Sequence, residues 1–142
     1  MKIMDMKPEL GTYVWLTPTS GTVEGLRAWA GVQGFESLID FTKLHVTVLY
    51  SRSYLPVIPD KTWFYPATAS GFKQLDKSMF VMTLDSPGIV QRHEKLMSIG
   101  ATHDWATFIP HMSLWKGPPP PQLEPPGFTM IFTNEQCEPL KP

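Results

Sequence analysis

His45-Val46-Thr47 and His111-Met112-Ser113 write one pattern twice: a histidine, an apolar residue, then a hydroxyl residue. Each copy opens a short run that reads as a β-strand, residues 45–50 (HVTVLY) and 111–115 (HMSLW). Strand residues two apart share a face, so each run aims one imidazole and one hydroxyl the same way. Two imidazoles and two hydroxyls turned to a common point form a device for cleaving a phosphodiester. One imidazole takes the proton of the attacking oxygen, and the other gives a proton to the leaving oxygen. Free imidazole titrates at about pH 6.5, so neutral and charged forms coexist near neutrality. The charged ring offsets the phosphate, and the hydroxyls donate to its non-bridging oxygens, where charge builds. A ribose 2′-OH beside the phosphorus is the natural nucleophile. The scheme needs no metal. H-x-T/S is not a zinc-ligand spacing, and no carboxylate follows either histidine at short range.

One H-x-T strand by itself is usually a packed or surface histidine. Two copies, each at a strand start, point to function. His93 and His103 provide the contrast, because neither has a hydroxyl two residues on. His93 falls on the apolar stripe of a helix and His103 in a turn, so both are expected to be structural.

The elements that must position the motifs alternate along the chain. Residues 11–17 (GTYVWLT) predict a strand with Tyr13 and Trp15 on one face and Val14 and Leu16 on the other. Thr19 or Ser20 caps a helix through about Val32, with Val23, Leu26, Trp29 and Ala30 on one side and Gly31 and Gly34 at its end. The first motif strand comes next, then a proline-bearing loop over 52–60. Residues 67–75 and 79–84 predict two strands joined at Asp76-Lys77. Ser86-Pro87 opens a second helix, with Ile89, His93, Leu96, Met97 and Gly100 as its buried stripe. Residues 108–116 carry the second motif, and residues 128–133 (FTMIFT) predict the last strand. Each half thus has a strand, a helix and a motif strand. Two lobes related by a pseudo-two-fold axis would bring both motifs to one cleft.

Composition bounds the function. At 142 residues, 42% hydrophobic and 18% charged, the chain fits a single folded domain over 1–142. A net charge of −1 offers no basic surface for a long nucleic acid, whereas a small anionic ligand needs only a local positive spot. The lone Cys137 has no disulfide partner within the chain, which fits a reducing compartment. The start carries no signal-peptide core, and no apolar run approaches the roughly 20 residues of a membrane span. A cytoplasmic protein without cofactor or membrane partner is expected. Oligomeric state leaves no mark. Of fifteen prolines, four are consecutive at 118–121, with Pro125 and Pro126 beyond. Proline fixes φ and lacks an N–H, so this stretch predicts a stiff connector between two strands, in preference to a recognition motif for aromatic-groove domains.

Paired H-x-[T/S] motifs some 65 residues apart in a chain of this size resemble the 2H phosphoesterase superfamily, over nearly the whole length. Within it the chain is most similar to the bacteriophage anti-CBASS protein 1 family, on GTYVWLTP near the start, LHVTVLYSR, HMSLW and the tail FTNEQCEPL. The resemblance implies an α+β, bilobal fold: two antiparallel sheets around a central cleft, helices outside. It implies metal-independent cleavage of 3′-5′ bonds in cyclic di- and trinucleotide immune signals such as cGAMP, through a 2′,3′-cyclic phosphate to a linear 3′-phosphate. His45, Thr47, His111 and Ser113 fall on the family's catalytic positions.

Three residues are candidate substrate contacts. Tyr13 can stack on a base or sit in the core. Trp115 shares a face with His111 and Ser113 by strict alternation, or else caps the core. Glu138 can accept from an exocyclic amine, and its position is the family-like one. Loop aromatics Trp63, Phe64 and Tyr65 are expected to be buried. Lys116 and Arg52 remain open as local positive charge. Two other functions compete: an enzyme of the same superfamily acting on 2′,3′-cyclic ends of RNA, and a non-catalytic sponge for cyclic nucleotides. The missing basic surface weighs against the first. Retention of both proton carriers weighs against the second.

Overall fold

Alternating apolar residues form six strands and two helices in the computed structural model, which describes residues 11–75, 78–102, 107–118 and 120–139. The order is β1 (Thr12–Pro18), α1 (Ser20–Gln33), β2 (Val46–Ser51), β3 (Tyr65–Leu75), β4 (Met79–Asp85), α2 (Pro87–Ser98), β5 (His111–Lys116) and β6 (Met130–Pro139). Two single 3-10 turns, Glu36–Leu38 and Phe41–Lys43, lead into β2. The expected turn at Asp76-Lys77 and His103 lie outside the described residues.

Both helices start where the sequence places a cap. The Thr19 hydroxyl accepts from the Thr22 N–H, and the Ser86 hydroxyl from the Ile89 N–H with proline next. Each such cap is worth about 1 kcal/mol. Gly34 closes α1 in the left-handed conformation, at φ 85°. On α2 the stripe buries Ile89, His93 and Leu96, whereas Gly100 is exposed.

The expected two sheets are halves of one ring. The strands run β1-β2-β5-β4-β3-β6 and close from β6 back to β1, all antiparallel. One half is β6-β1-β2 and the other β3-β4-β5. The junctions between halves are the thin places: three register pairs join β3 to β6, and one joins β2 to β5. Each half contributes strand, helix and motif strand in that order, β1-α1-β2 and β4-α2-β5. The helices cover one face of the strands, and a single buried cluster runs through both halves, including Val14, Leu16, Val46, Met82, Met112 and Phe132.

β6 extends six residues past the expected end at 133. Its added part, NEQCEP, lies beside β1; Asn134 and Glu138 are exposed, whereas Glu135 is buried. Asn134, at φ 55°, and a register shift between Trp15 and Thr17 mark where it is reset. The proline-rich segment connects β5 to β6 and is strapped to α1. Trp29 Nε1 donates to the Glu124 carbonyl (2.7 Å), and Gln33 Oε1 accepts from the Glu124 N–H (3.1 Å). The Phe128 ring would lie 2.8 Å from a Cβ at Gly25, so α1 needs glycine there. Trp63 and Phe64, expected in the core, are 58% and 59% exposed; Tyr65 is buried because β3 begins with it.

Candidate active site

Val46 and Met112, the middle residues of the two motifs, are cross-strand partners at the β2·β5 junction, and both are fully buried. Their neighbours therefore turn to the opposite, open face. In an antiparallel pair the residues flanking a matched pair also oppose each other. His45 thus stands across from Ser113, and Thr47 across from His111. All four side chains are half-buried.

The two histidines are held alike. His45 Nδ1 lies 2.9 Å from the Lys43 carbonyl, and His111 Nδ1 lies 3.1 Å from the Ile109 carbonyl, each two residues back. A carbonyl only accepts, so each Nδ1 carries the proton and donates. Nε2 is then the nitrogen that Nδ1 anchoring leaves for a ligand on both rings: a lone pair when the ring is neutral, an N–H when it is charged. Matched backbone anchors make each ring ready for either role.

The motif strands share a second feature. Along β2, Leu49 pairs with Val14 and Thr47 with Trp15, so Val48 is an extra, unmatched residue. Along β5, Trp115 pairs with Phe80 and Ser113 with Val81, so Leu114 is extra. Each motif strand therefore bulges at the residue after its hydroxyl. A bulge breaks alternation. It returns Tyr50 to the open face beside Thr47. It also takes Trp115 off the face of His111 and Ser113. Trp115 is 7% exposed, packed against Phe80 (4.8 Å) and Phe35 (5.6 Å), with Nε1 donating to the Pro118 carbonyl. Its place is the core, the counterpart of Leu49 in the other half.

The bulged Val48 carbonyl is taken by a side chain. His93 Nδ1, on α2, donates to it at 2.7 Å. The His93 ring stacks on Phe108 at 3.9 Å and 7°. Phe108 in turn lines the cavity beside His111. His93 thus supports the site from beneath.

Register pairs extend the site across the three strands of the β6-β1-β2 half. Tyr13 pairs with Tyr50 on one side and Glu138 on the other, so these three share the open face. The Tyr13 ring stacks on Trp15 (4.7 Å) and meets Tyr50 edge-on (5.9 Å), and its hydroxyl lies 3.4 Å from Thr47 Oγ1. Burial raises the Tyr13 phenol above its ordinary value, and the nearby Glu138 carboxylate adds to this. Tyr13 therefore stays protonated, and able to donate, through neutral pH.

Two cavities flank the motifs. One, of about 270 Å³, is lined by Thr47, Tyr50, His111, Thr83, Lys73 and the apolar Val81, Leu75, Phe108 and Ile109. The other, of about 370 Å³, is lined by His45, Lys43, Leu44, Tyr13, Trp15, Thr17 and Thr42. Aromatic and aliphatic walls around a few polar groups suit nucleobases and their phosphates. Tyr50, Lys73 and Phe108 were not singled out by sequence reasoning. Tyr50 needs the bulge and Lys73 needs the register; neither leaves a local signal. Trp15 had one, its alternation with Tyr13.

A ring of two three-stranded halves, helices on one face and twin histidine–hydroxyl strands on the other, defines a phosphodiesterase of the 2H phosphoesterase fold. The solved structure of Escherichia coli LigT in apo form is similar over 93% of this chain and 95% of LigT, with a TM-score of 0.56 at 16% identity. LigT complexed with 3′-AMP gives 0.55 at 15%. A profile of the family described as anti-CBASS protein Acb1 matches residues 10–142, and the chain belongs to that family. The anti-CBASS protein Acb1 of Vibrio phage KVP40 is 33% identical over 117 residues, 80% of this chain and 78% of the relative. That of Acinetobacter phage Ac42 is 29% identical over 147 aligned residues, covering 99% and 96%. The protein is thus an anti-CBASS phosphodiesterase.

Proposed function

We propose that the enzyme cleaves the 3′-5′ bonds of cyclic di- and trinucleotide immune signals, cGAMP among them, in the cytoplasm of the infected host, by metal-independent acid–base catalysis. The observation that carries this reading is the matched anchoring of His45 and His111, each with Nδ1 on a backbone carbonyl, on strands joined through Val46 and Met112. Among the described residues no three His, Cys, Asp or Glu side chains gather as a metal site, and no helix is long and apolar enough to cross a membrane.

The scissile phosphate sits between the rings. The neutral imidazole accepts the ribose 2′-OH proton at Nε2 as O2′ bonds to phosphorus. The charged imidazole gives its Nε2 proton to O5′ as the P–O5′ bond breaks. Thr47 and Ser113 donate to the non-bridging oxygens. The product is a 2′,3′-cyclic phosphate, with the two rings left in exchanged protonation states. Water then adds with roles reversed, P–O2′ breaks, and a linear 3′-phosphate leaves. Tyr13 stacks on one base, and Glu138 accepts from an exocyclic amine.

The test is chelator-treated protein incubated with a panel of cyclic di- and trinucleotides and an RNA ending in a 2′,3′-cyclic phosphate, products read by mass. Linear 3′-phosphates from the cyclic panel support the proposal. Turnover of the RNA end alone supports the RNA-end reading, and tight binding without products supports the sponge.

A further inference from the structure

We propose that Lys73 forms a second phosphate site, holding the phosphate of a cyclic oligonucleotide that is not being cleaved. This rests on the cyclic-nucleotide reading and names the part of the substrate it has not yet placed. The acid–base step acts on one phosphodiester at a time. A cyclic dinucleotide closes through two, and the second enters the cleft as a full negative charge. Bringing it beside apolar walls without a cation is costly.

The register locates the cation. On β3, Lys73 pairs with Val81 of β4, and Val81 pairs with Ser113 of β5. Lys73 therefore stands in the row of the catalytic hydroxyl, two strands away, at about 10 Å between Cα atoms. Its four-carbon stem bridges part of that gap over Val81. In the next row Gly71 pairs with Thr83, and Thr83 with His111. Gly71 has no side chain, so the third strand leaves the space beside the His111 row clear and puts its charge beside the Ser113 row.

Lys73 lines the His111-side cavity, and among the described residues it makes no ion pair or side-chain hydrogen bond. The pseudo-two-fold axis sharpens the point. In the other half the same row reads Thr47, Trp15, Gln136. Where one half places a neutral amide, the other places an ammonium. Lys43 does line the other cavity, but its ammonium lies 3.9 Å from the Asp40 carboxylate, so among the described residues the cavity cation without a counter-charge is Lys73. A ring with a second phosphate has one favoured way to lie, its uncleaved phosphate toward β3.

The experiment compares a cyclic dinucleotide with linear adenylyl-(3′→5′)-adenosine, which has one phosphodiester and no other phosphate. Lys73→Met and Lys73→Gln are tested beside Lys73→Arg. Thermal melts confirm folding, which an exposed strand position tolerates. A hydrogen bond to a charged group is worth about tenfold or more. The neutral variants should lower the cyclic-to-linear ratio of kcat/KM by about that factor, chiefly through KM of the cyclic substrate. The arginine variant should restore most of it. Added salt should weaken cyclic-substrate binding in wild type more than in the neutral variants. If wild type cleaves the cyclic substrate and the ratio does not change in the neutral variants, the second phosphate site is overturned and the proposed activity stands. If wild type cleaves only the linear compound, the cyclic-nucleotide reading falls, and the site falls with it.

Discussion

Val46 and Met112 pair across β2 and β5 with both side chains fully buried, and among the described residues no other register pair joins those strands. This contact sets the geometry of the candidate site, because it fixes which residues oppose each other on the open face. His45→Ala and His111→Ala should each lower kcat by a hundredfold or more, in line with the ~10²–10⁴ of a lost acid or base. The double variant should be little worse than either single one, since the two rings act as a unit. Thr47→Val and Ser113→Ala should cost less. Near-wild-type turnover in either histidine variant would end the assignment.

The Nδ1 anchors make a sharper prediction about which nitrogen works. Asparagine at position 45 or 111 keeps a donor near the Nδ1 position but has nothing at Nε2. Each asparagine variant should therefore melt close to wild type and still be as inactive as the alanine variant. A pH–rate profile should be bell-shaped, since one ring must be neutral while the other is charged. Activity after EDTA treatment should be retained; reversible loss would count against the metal-free scheme.

Much of this was legible in the sequence, because strand alternation and helix caps are local. The motif faces, the Thr19 and Ser86 caps and the strand–helix–strand order all follow from residues a few positions apart. Trp115 shows the limit. Strict alternation puts it with His111 and Ser113, but the extra residue Leu114 turns it into the core. A bulge depends on what β4 offers opposite, and β4 is some thirty residues away in sequence. The polar end of β6 was missed for a related reason: NEQCEP has no strand character of its own and becomes a strand only beside β1. Glu138 reaches Tyr13 through that pairing alone. The order of strands around the ring, which places Lys73 in the row of Ser113, is likewise invisible without long-range contacts.

His93 was expected to be structural. Its position suits a structural role that bears on catalysis, because it carries the bulged Val48 carbonyl and the Phe108 ring together. His93→Phe keeps an aromatic ring against Phe108 but orphans the buried carbonyl, so it should cost about 1–3 kcal/mol of stability. His93→Asn keeps a donor for Val48 and loses the stack. It should melt nearer to wild type while raising KM, because Phe108 is a cavity wall. The same KM for both variants would remove His93 from the site and leave it to the core.

Arg92 and Glu135 form the buried ion pair of the described residues. Arg92 Nε and Nη2 donate to the two carboxylate oxygens at 2.9 and 2.8 Å, and the Asp60 N–H donates to Glu135 Oε2 at 2.9 Å. The Glu135 side chain is fully buried, and Arg92 is 15% exposed. Hydrogen bonding to Glu135 holds the guanidinium above its ordinary value. The pair ties α2 and the loop before β3 to β6. Arg92→Met leaves a buried carboxylate unpaired and should destabilise by about 3 kcal/mol, the low end for a broken buried pair because some water reaches the arginine. Glu135→Gln, which leaves no charge behind on the buried side, should cost less. Denaturant titration of both variants reads the difference.

Tyr13 supplies the alkaline prediction. Burial is the main cause that raises its phenol above the ordinary 10.0, and Tyr65 is raised by burial in the same direction. A raised acid in the folded state means that the fold holds these protons more tightly than the unfolded chain does. Their contribution to stability is complete below about pH 10 and is lost as pH climbs through the raised values. Wild type should lose stability above about pH 10 more steeply than Tyr13→Phe, which has one fewer proton to surrender. The same variant lacks the hydroxyl 3.4 Å from Thr47 Oγ1, so its activity should fall modestly while the neutral limb of the pH–rate profile stays in place. A shift of that limb would mean that Tyr13, and not only the two imidazoles, carries a proton in the reaction.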